Sequence, residues 1–186
     1  PFTQSVTWNN EYHLCCRSAK PVSTFDLTVP YSQDTNRNTI KDLMVQGVMV
    51  PEYCQVCYNL EAKGVDSPRI TESIEWAHKL NLNSLDDVQQ FEGPVHYEIR
   101  ASNQCNLMCR TCGPQWSSLI QNENKITQIF PEAEFSYNNF DHVEIDKLQR
   151  LYLAGGEPTI MPEFHNFLGK CIQQNRTDID ILINTN

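Results

Sequence analysis

Three cysteines fall within eight residues, at Cys105, Cys109 and Cys112. A tight loop with this spacing can turn all three sulfurs towards one iron–sulfur cluster, for which thiolate is the usual protein ligand. A four-iron cubane has four corners, so three cysteines leave one iron without a protein ligand. As in catalytic metal sites, an open coordination position is a place where a substrate can bind and react.

Four more cysteines are clustered nearer the start of the chain, as the adjacent pair Cys15 and Cys16 and as Cys54 and Cys57. The second pair is spaced so that both sulfurs face one side of a predicted helical turn. Such short gaps favour metal ligation over loop-closing disulfides, and the reduced thiols that ligation requires predict a cytoplasmic protein. The eighth cysteine, Cys171, lies on an apolar helix face and is predicted to be packed in the core.

The composition limits the function classes. The 186 residues carry a net charge of -9, with 23 acidic and 14 basic side chains, and 40% of them are hydrophobic. A packed core is therefore possible, whereas a large nucleic-acid surface is not expected, because phosphate binding needs clustered Lys and Arg. We find no apolar stretch of about 18 residues that would cross a membrane and no signal-peptide pattern. The chain begins on Pro1 and stops directly after an apolar run, so we expect a piece of a longer protein.

From residue 95 the pattern predicts strand, helix, strand, helix and strand, over 95–100, 115–130, 151–154, a helix after Pro162, and 179–183. The predicted core faces of the two helices are Trp116, Leu119, Ile120 and Ile126, and then Phe164, Phe167, Leu168, Cys171 and Ile172. This order implies an α/β fold with parallel strands and right-handed crossovers. Functional sites in such folds lie at the carboxyl ends of the strands. The cysteine loop and the turn Gly155-Gly156-Glu157-Pro158 both follow predicted strands there.

Residues 1–80 predict a small α+β module, and the polar residues 81–94 predict a linker. The module is expected to have short strands around Val6, Trp8 and Tyr12, a loop over 21–38, and helices over 39–46, from Pro51 and over 70–80. The third helix is expected to present Ile74, Ala77 and His78 on one face. The acidic run 132–144 predicts a solvated face.

Cys105-x-x-x-Cys109-x-x-Cys112, with Gly155-Gly156-Glu157-Pro158 after the next strand, resembles the two motifs of the radical S-adenosylmethionine enzymes. The resemblance implies a partial (β/α) barrel comprising the first two and a half units, inactive on its own. It implies a [4Fe-4S] cluster on the three cysteines, whose fourth iron binds S-adenosylmethionine, with Gly155, Gly156, Glu157 and Pro158 next to its methionine part. Reductive cleavage then gives a 5′-deoxyadenosyl radical that removes hydrogen from a peptide or small-metabolite substrate. The electron donor would be a flavodoxin or ferredoxin. Thr111 departs from the family, which often has an aromatic residue before the third cysteine.

The first module is similar to the auxiliary-cluster region of twitch- or SPASM-type members of that family. The similar residues are Cys15, Cys16, Cys54, Cys57, Tyr58, Glu61, Gly64, Ser67 and Arg69. This resemblance implies a second iron–sulfur cluster on Cys54, Cys57 and one of the adjacent pair, which relays electrons or binds substrate.

Other interpretations remain open from the sequence. The cysteine pairs suit a non-catalytic zinc- or iron–sulfur-binding module, and a radical-type scaffold without activity is a further alternative. Arg110 could balance cluster charge or be an exposed loop residue. His96, Glu98 and Arg100 either point into a barrel lumen or satisfy one another. Asn184 and Asn186 would place polar groups at the active rim.

Overall fold

A computed structural model describes residues 2–7, 11–24, 33–132 and 140–185. Over these residues the chain is a mixed α/β fold with one six-stranded, mostly parallel sheet and six α-helices. The expectations for Trp8 and Asn186, and for residues 25–32 of the predicted loop, lie outside the described residues. The described part of the loop predicted over 21–38 is partly wrong, because it holds a short strand at Ser23–Thr24 and the first turn of a helix that begins at Thr35. The strands are β1 Thr3–Val6, β2 Glu11–His13, β3 Ser23–Thr24, β4 His96–Ile99, β5 Arg150–Leu153 and β6 Asp180–Ile183. The helices are α1 Thr35–Val45, α2 Pro51–Glu61, α3 Pro68–Lys79, α4 Leu85–Gln90, α5 Ser118–Thr127 and α6 Pro162–Gln173.

The sheet has the order β3-β2-β1-β4-β5-β6. Strands β1, β4, β5 and β6 are parallel, and β2 and β3 are added antiparallel at one edge. The strand–helix–strand–helix–strand order predicted from residue 95 is confirmed, and β4, β5 and β6 are neighbours. Their carboxyl ends therefore lie along one rim of the sheet, as parallel pairing requires.

The two faces of the sheet differ in polarity because side chains alternate along each strand. One face carries Tyr97, Ile99, Leu151 and Leu153, which are fully buried against α6. The other face follows the register Thr3–His96–Arg150 and Ser5–Glu98–Tyr152, and is therefore polar. That polar face is covered by α3: Thr3 donates to Glu72 over 3.2 Å, and the Arg150 guanidinium donates to Glu75 over 3.0 Å.

Local signals account for the ends of the helices. Ser67 and Ser117 are N-caps whose hydroxyls accept a backbone N–H of the first turn of α3 and α5, and Ser84 with Asp87 forms a capping box for α4. Pro stands at the first position of α2, α3 and α6, where its missing N–H has no helical partner to lose. These residues allow the starts of the helices to be predicted from the sequence.

Some of the predicted buried faces are wrong. On α3 the buried residue is Trp76, at 1% exposure, whereas Ile74 is 65% exposed. The reason is that α3 covers a polar face, and the Trp76 ring fits there beside His96, with ring centroids 6.0 Å apart. On α5 only Ile120 of the predicted set is buried; Trp116 precedes the helix, and Leu119 and Ile126 are exposed, since the helix packs mainly through its first turns. On α6, Phe164, Phe167 and Cys171 are buried and Leu168 is partly buried as predicted, whereas Ile172 is 68% exposed.

The acidic run 132–144 was predicted to be a solvated face, but residues 140–144 at its C-terminal end do not form one. Phe140, His142 and Val143 are buried. The Phe140 ring stacks on Phe167 of α6, with centroids 5.0 Å apart. Apolar and aromatic residues here complete the core, and the acidic side chains are placed around them.

The stretch 81–94 contains helix α4 and buried contacts. Leu82, Val88 and Phe91 pack against a small cluster formed by Phe2, Trp76 and Val95. Strand β1 from the first module pairs directly with β4, so the sheet continues across the proposed module boundary. The division into residues 1–80, 81–94 and 95–186 stays a prediction.

Candidate functional site

The three-cysteine loop follows the carboxyl end of β4 and is anchored by polar residues on both sides. Asn103 is 1% exposed, and its amide donates to the Pro114 carbonyl and to Gln121, each over 2.9 Å. The Ser117 hydroxyl donates to the Leu107 carbonyl over 2.9 Å, and the Cys105 N–H donates to Ser118 over 3.2 Å. The N-cap of α5 thus also holds the loop.

The loop brings the thiols of Cys105, Cys109 and Cys112 close to one another. The Cys105 sulfur accepts the Leu107 N–H over 3.4 Å, and the Cys112 N–H donates to the Cys109 carbonyl over 3.0 Å. Burial raises the pKa of the Cys112 thiol, and the neighbouring Cys109 and Cys105 add to the rise. All three cysteines are half-buried. The three sulfurs are therefore grouped at the rim, and solvent still reaches the loop.

The turn at Gly155 and Gly156 is hydrogen-bonded to the residues that flank this loop. Gly156 donates its N–H to the Trp116 carbonyl over 3.1 Å, and Glu157 donates its N–H to the Gln104 carbonyl over 2.7 Å. Gly156 has φ +58, and a Cβ there would stand 2.2 Å from the Gln104 carbonyl oxygen. Only glycine permits that approach. The two motifs predicted from sequence are thus one contiguous structure.

The acid of the turn is buried and engaged. Glu157 is 3% exposed, and its Oε1 accepts from the Thr159 N–H at 3.1 Å, the Thr159 hydroxyl at 2.6 Å and the Thr185 hydroxyl at 2.8 Å. Thr185 follows β6, so this carboxylate ties the ends of β5 and β6 together. Pro158, also buried, begins a short 3₁₀ turn that Glu157 caps. The cofactor role of these two residues stays a prediction.

A second group of thiols surrounds one cavity on the polar side of the sheet. Cys15, Cys16, Cys54 and Cys57 all line it, as does Trp76. Burial raises the pKa of Cys15 to about 12 and that of Cys16 to about 11, and it also raises the pKa of Cys54. Cys15 and Cys16 are therefore protonated at neutral pH, and metal binding by either of them would release a proton.

Cationic side chains surround the same cavity. Its walls include Arg17, Arg37, Lys41 and Arg69, together with Glu72, and Arg69 is paired with Glu61. Thiolate clusters concentrate negative charge, which nearby cations stabilise.

Residues of the auxiliary-region resemblance also form one network. Glu61 accepts from the Arg69 guanidinium at 3.1 and 2.5 Å and from the Ser67 hydroxyl. The Arg69 guanidinium lies 5.0 Å from the centre of the Tyr58 ring, and Gly64 has φ +73 in the intervening turn. The network fixes the end of α2, which bears Cys54 and Cys57, to the start of α3.

The structure distinguishes among the remaining candidates. Arg110 and Thr111 are exposed. His96 and Glu98 are buried on the polar face, at 7% and 8% exposure. Arg100 lies over Trp116, with its guanidinium carbon 5.5 Å from the ring centre. Asn184 is exposed, and its N–H donates to Leu153 at the rim.

Two contacts at these sites were not predicted from the sequence. Asn103 anchors the cysteine loop, and its position two residues before Cys105 was the only available signal. Glu98 accepts the Cys16 N–H at 2.6 Å. A carboxylate in an otherwise strand-like sequence gave no indication of a partner 82 positions earlier.

Two features are absent from the described residues. No three His, Cys, Asp or Glu side chains converge on the position of a single metal ion. In a four-iron cubane, by contrast, each cysteine bonds a different iron, so the ligand sulfurs stand apart. Among the described helices, none has the length and apolar character needed to cross a bilayer.

The chain was compared with protein-family models, with curated proteins and with solved structures, and none of the three comparisons finds a match.

Proposed function

We propose that the chain is the cofactor-binding part of a radical S-adenosylmethionine enzyme with an N-terminal auxiliary iron–sulfur site. Its sheet would then be the first part of a (β/α) barrel. The assignment rests on one observation, which is that Gly156 packs closely against the segment leading into the three-cysteine loop and that its turn is hydrogen-bonded to this segment. We call this contact the Gly156 interlock. Two motifs that are about 50 positions apart in the sequence meet at the rim where α/β folds bind ligands.

The residues present fit a cluster with one open iron. Cys105, Cys109 and Cys112 supply three thiolates and no fourth donor. The N–H of Leu107 already points at the Cys105 sulfur, and N–H groups directed at sulfur stabilise cluster thiolates. When bound and reduced, the cluster would supply one electron to S-adenosylmethionine, whose sulfur–C5′ bond would break to give methionine and a 5′-deoxyadenosyl radical that abstracts hydrogen from substrate.

The protein would bind and orient the cofactor at the double-glycine turn. Gly155 and Gly156 present backbone without side chains, so an amino-acid moiety can approach closely. Glu157 holds the turn against β6 through Thr185 and would place its carboxylate near a cofactor ammonium group. Trp116 and Arg100, stacked beside the turn, would limit water access to this corner.

The second thiol cavity supports an auxiliary cluster. Four cysteines line it, and its walls are rich in cations. It lies on the polar face of the sheet, on the side that a closed barrel would turn inward. An electron-relay or substrate-binding role follows for this site, with a peptide or small metabolite as substrate.

The same cavity supports one alternative, a non-catalytic metal module. Four thiolates suit tetrahedral zinc as well as iron–sulfur clusters, but no three ligand side chains among the described residues converge on one metal-ion position. This alternative does not explain why the Gly155-Gly156 turn packs against the three-cysteine loop. The visible absorbance of the protein distinguishes the two functions, because zinc sites are colourless and iron–sulfur clusters absorb visible light.

The test is anaerobic reconstitution of the full-length protein with iron and sulfide. We expect about four iron at the 105–112 loop, and 5′-deoxyadenosine release when dithionite and S-adenosylmethionine are added. Replacing Cys105, Cys109 and Cys112 together by Ala should abolish both, whereas Cys171→Ala, a core cysteine, should leave both intact. Cofactor cleavage by the triple variant would overturn the assignment.

A further inference from the structure

The Glu157 carboxylate is held at the rim by donors that follow two different strands. Among the described residues, its Oε1 accepts from the Thr159 N–H at 3.1 Å, the Thr159 hydroxyl at 2.6 Å and the Thr185 hydroxyl at 2.8 Å. Both groups of Thr159 belong to the short turn that Glu157 itself caps. Thr185 reaches the carboxylate from beyond β6, 28 positions later in the chain.

Backbone pairing sets the position of Thr185. Leu153 at the end of β5 pairs with Ile183 at the end of β6, and the Asn184 N–H donates to the Leu153 carbonyl over 2.9 Å. The ladder of hydrogen bonds therefore continues beyond β6 and holds the backbone next to Thr185 at the rim. Threonine is also stiff at χ1, because it is β-branched. The hydroxyl of Thr185 is thus presented to Glu157 by a rigid support.

These contacts fix how the carboxylate is turned. The last torsion of a glutamate side chain is broad and roughly two-fold, so it is contacts that orient the carboxylate plane. Thr159 lies on the same turn as Glu157 and moves with it, whereas Thr185 ties the carboxylate to the neighbouring strand. One carboxylate oxygen offers about two lone-pair positions. The donors therefore fill Oε1, and we expect a further donor to bind at Oε2.

The charge of this carboxylate suits a cationic ligand. Glu157 is 3% exposed, and burying a carboxylate is costly unless it is hydrogen-bonded or paired. The hydroxyl and N–H donors of Thr159 and Thr185 are neutral, so they reduce this cost without cancelling the charge. An ammonium group has donors alone, and its hydrogen bonds to a carboxylate are strong because both partners are ionised. The ammonium group of an amino acid therefore fits the oriented carboxylate.

We propose, building on the proposed function above, that Thr185 is a positioning residue that orients the Glu157 carboxylate for the ammonium group of S-adenosylmethionine. Thr185 acts through Glu157 and does not contact the cofactor itself. The end of β6 then takes part in cofactor binding through this one hydrogen bond.

The test measures the dissociation constant of S-adenosylmethionine, read from the electron paramagnetic resonance spectrum of the reduced cluster. The protein is reconstituted at full length and carries Cys54→Ala and Cys57→Ala, so that the cluster at 105–112 is observed. Thr185→Val removes the hydroxyl at nearly constant volume, and the residue is exposed, so the core is unchanged. We expect this variant to keep its iron and to bind the cofactor about tenfold more weakly, because a hydrogen bond to a charged group is lost.

Thr185→Ser keeps the hydroxyl and should restore the affinity. A purely structural role for Thr185 would instead lower the iron content. Loss of iron in Thr185→Val, an unchanged dissociation constant in that variant, or a Thr185→Ser variant as weak as Thr185→Val overturns the positioning role.

Glu157→Gln shows whether Thr185 acts through Glu157. The amide keeps the shape of the side chain but removes its charge, so this variant should also bind the cofactor more weakly. In that background Thr185→Val should cause no further loss, because residues that act through one contact are not additive. Additive losses, or wild-type affinity in Glu157→Gln, overturn the proposal and leave the open iron intact. A cluster that does not bind the cofactor when Thr185 and Glu157 are both present would defeat the proposed function itself.

Discussion

Gly156→Ala should damage the three-cysteine site from a distance. The residue has φ +58, and an alanine Cβ would lie 2.2 Å from the Gln104 carbonyl oxygen and 2.9 Å from the Asn103 carbonyl carbon. Both atoms are backbone, so relief requires the entrance of the cysteine loop to move. We therefore expect loss of stability together with loss of cluster binding.

The magnitude has two parts, and the chain offers a control that separates them. A left-handed backbone costs an L-residue about 1–2 kcal/mol, and the steric overlap adds about 1–3 kcal/mol. Gly64 has φ +73 but nothing within 4 Å of its Cβ position, so Gly64→Ala carries the backbone cost alone. Gly155, with φ +84 and contacts at 3.3 Å, should be intermediate.

The assay is denaturant unfolding of the three variants, followed by iron content after reconstitution. Gly156→Ala should be destabilised by about 1–3 kcal/mol more than Gly64→Ala, in line with the overlap cost, and should lose most of the iron bound at the 105–112 loop. Equal destabilisation of the two variants, with iron retained in both, would refute the interlock.

Three further outcomes are expected. Burial, followed by the charge of Arg150, lowers the pKa of His96 from 6.5 to about 4. The folded protein therefore keeps its full free energy of unfolding above pH 6.5 and loses about 3 kcal/mol of it as the pH falls to 4. His96→Gln should flatten this part of the stability–pH curve. Arg69→Lys should lose the paired hydrogen bonds to Glu61 and about 1 kcal/mol of unfolding free energy. Because Arg69 lowers the pKa of Glu61, that loss should be seen at neutral pH and disappear as pH falls below about 4.5; a loss that persists in acid would contradict the ion pair. Cys171→Ala should cost about 1–2 kcal/mol as a core truncation without changing bound iron, and a drop in iron would make Cys171 more than a packing residue.

The parallel unit was predictable because its signals are local. Phe164, Phe167 and Cys171 recur at the helical period, and the strands at 95–100 and 151–154 are short apolar or alternating runs. The order of these elements then fixes parallel pairing, which places the cysteine loop and the Gly155-Gly156 turn at one rim. The sequence alone therefore predicts that the two motifs lie at the same rim.

Long-range contacts were not predictable in this way. The pairing of β1 with β4 joins Thr3 to His96 across more than 90 positions, and no local pattern specifies it. That pairing gives the sheet its polar face, which in turn explains why Trp76 rather than Ile74 is buried on α3. The contact of Glu98 with Cys16 depends on the same pairing, since it requires the first module to lie over β4.

In the proposed function, the three-cysteine loop leaves one iron open for S-adenosylmethionine. The most direct measurement is the electron paramagnetic resonance spectrum of the reduced cluster at this loop, with and without S-adenosylmethionine, in protein carrying Cys54→Ala and Cys57→Ala. We predict that the cofactor changes the spectrum, and that Cys105→Ala abolishes the signal. A cluster signal that the cofactor leaves unchanged would contradict the open iron and the function built on it.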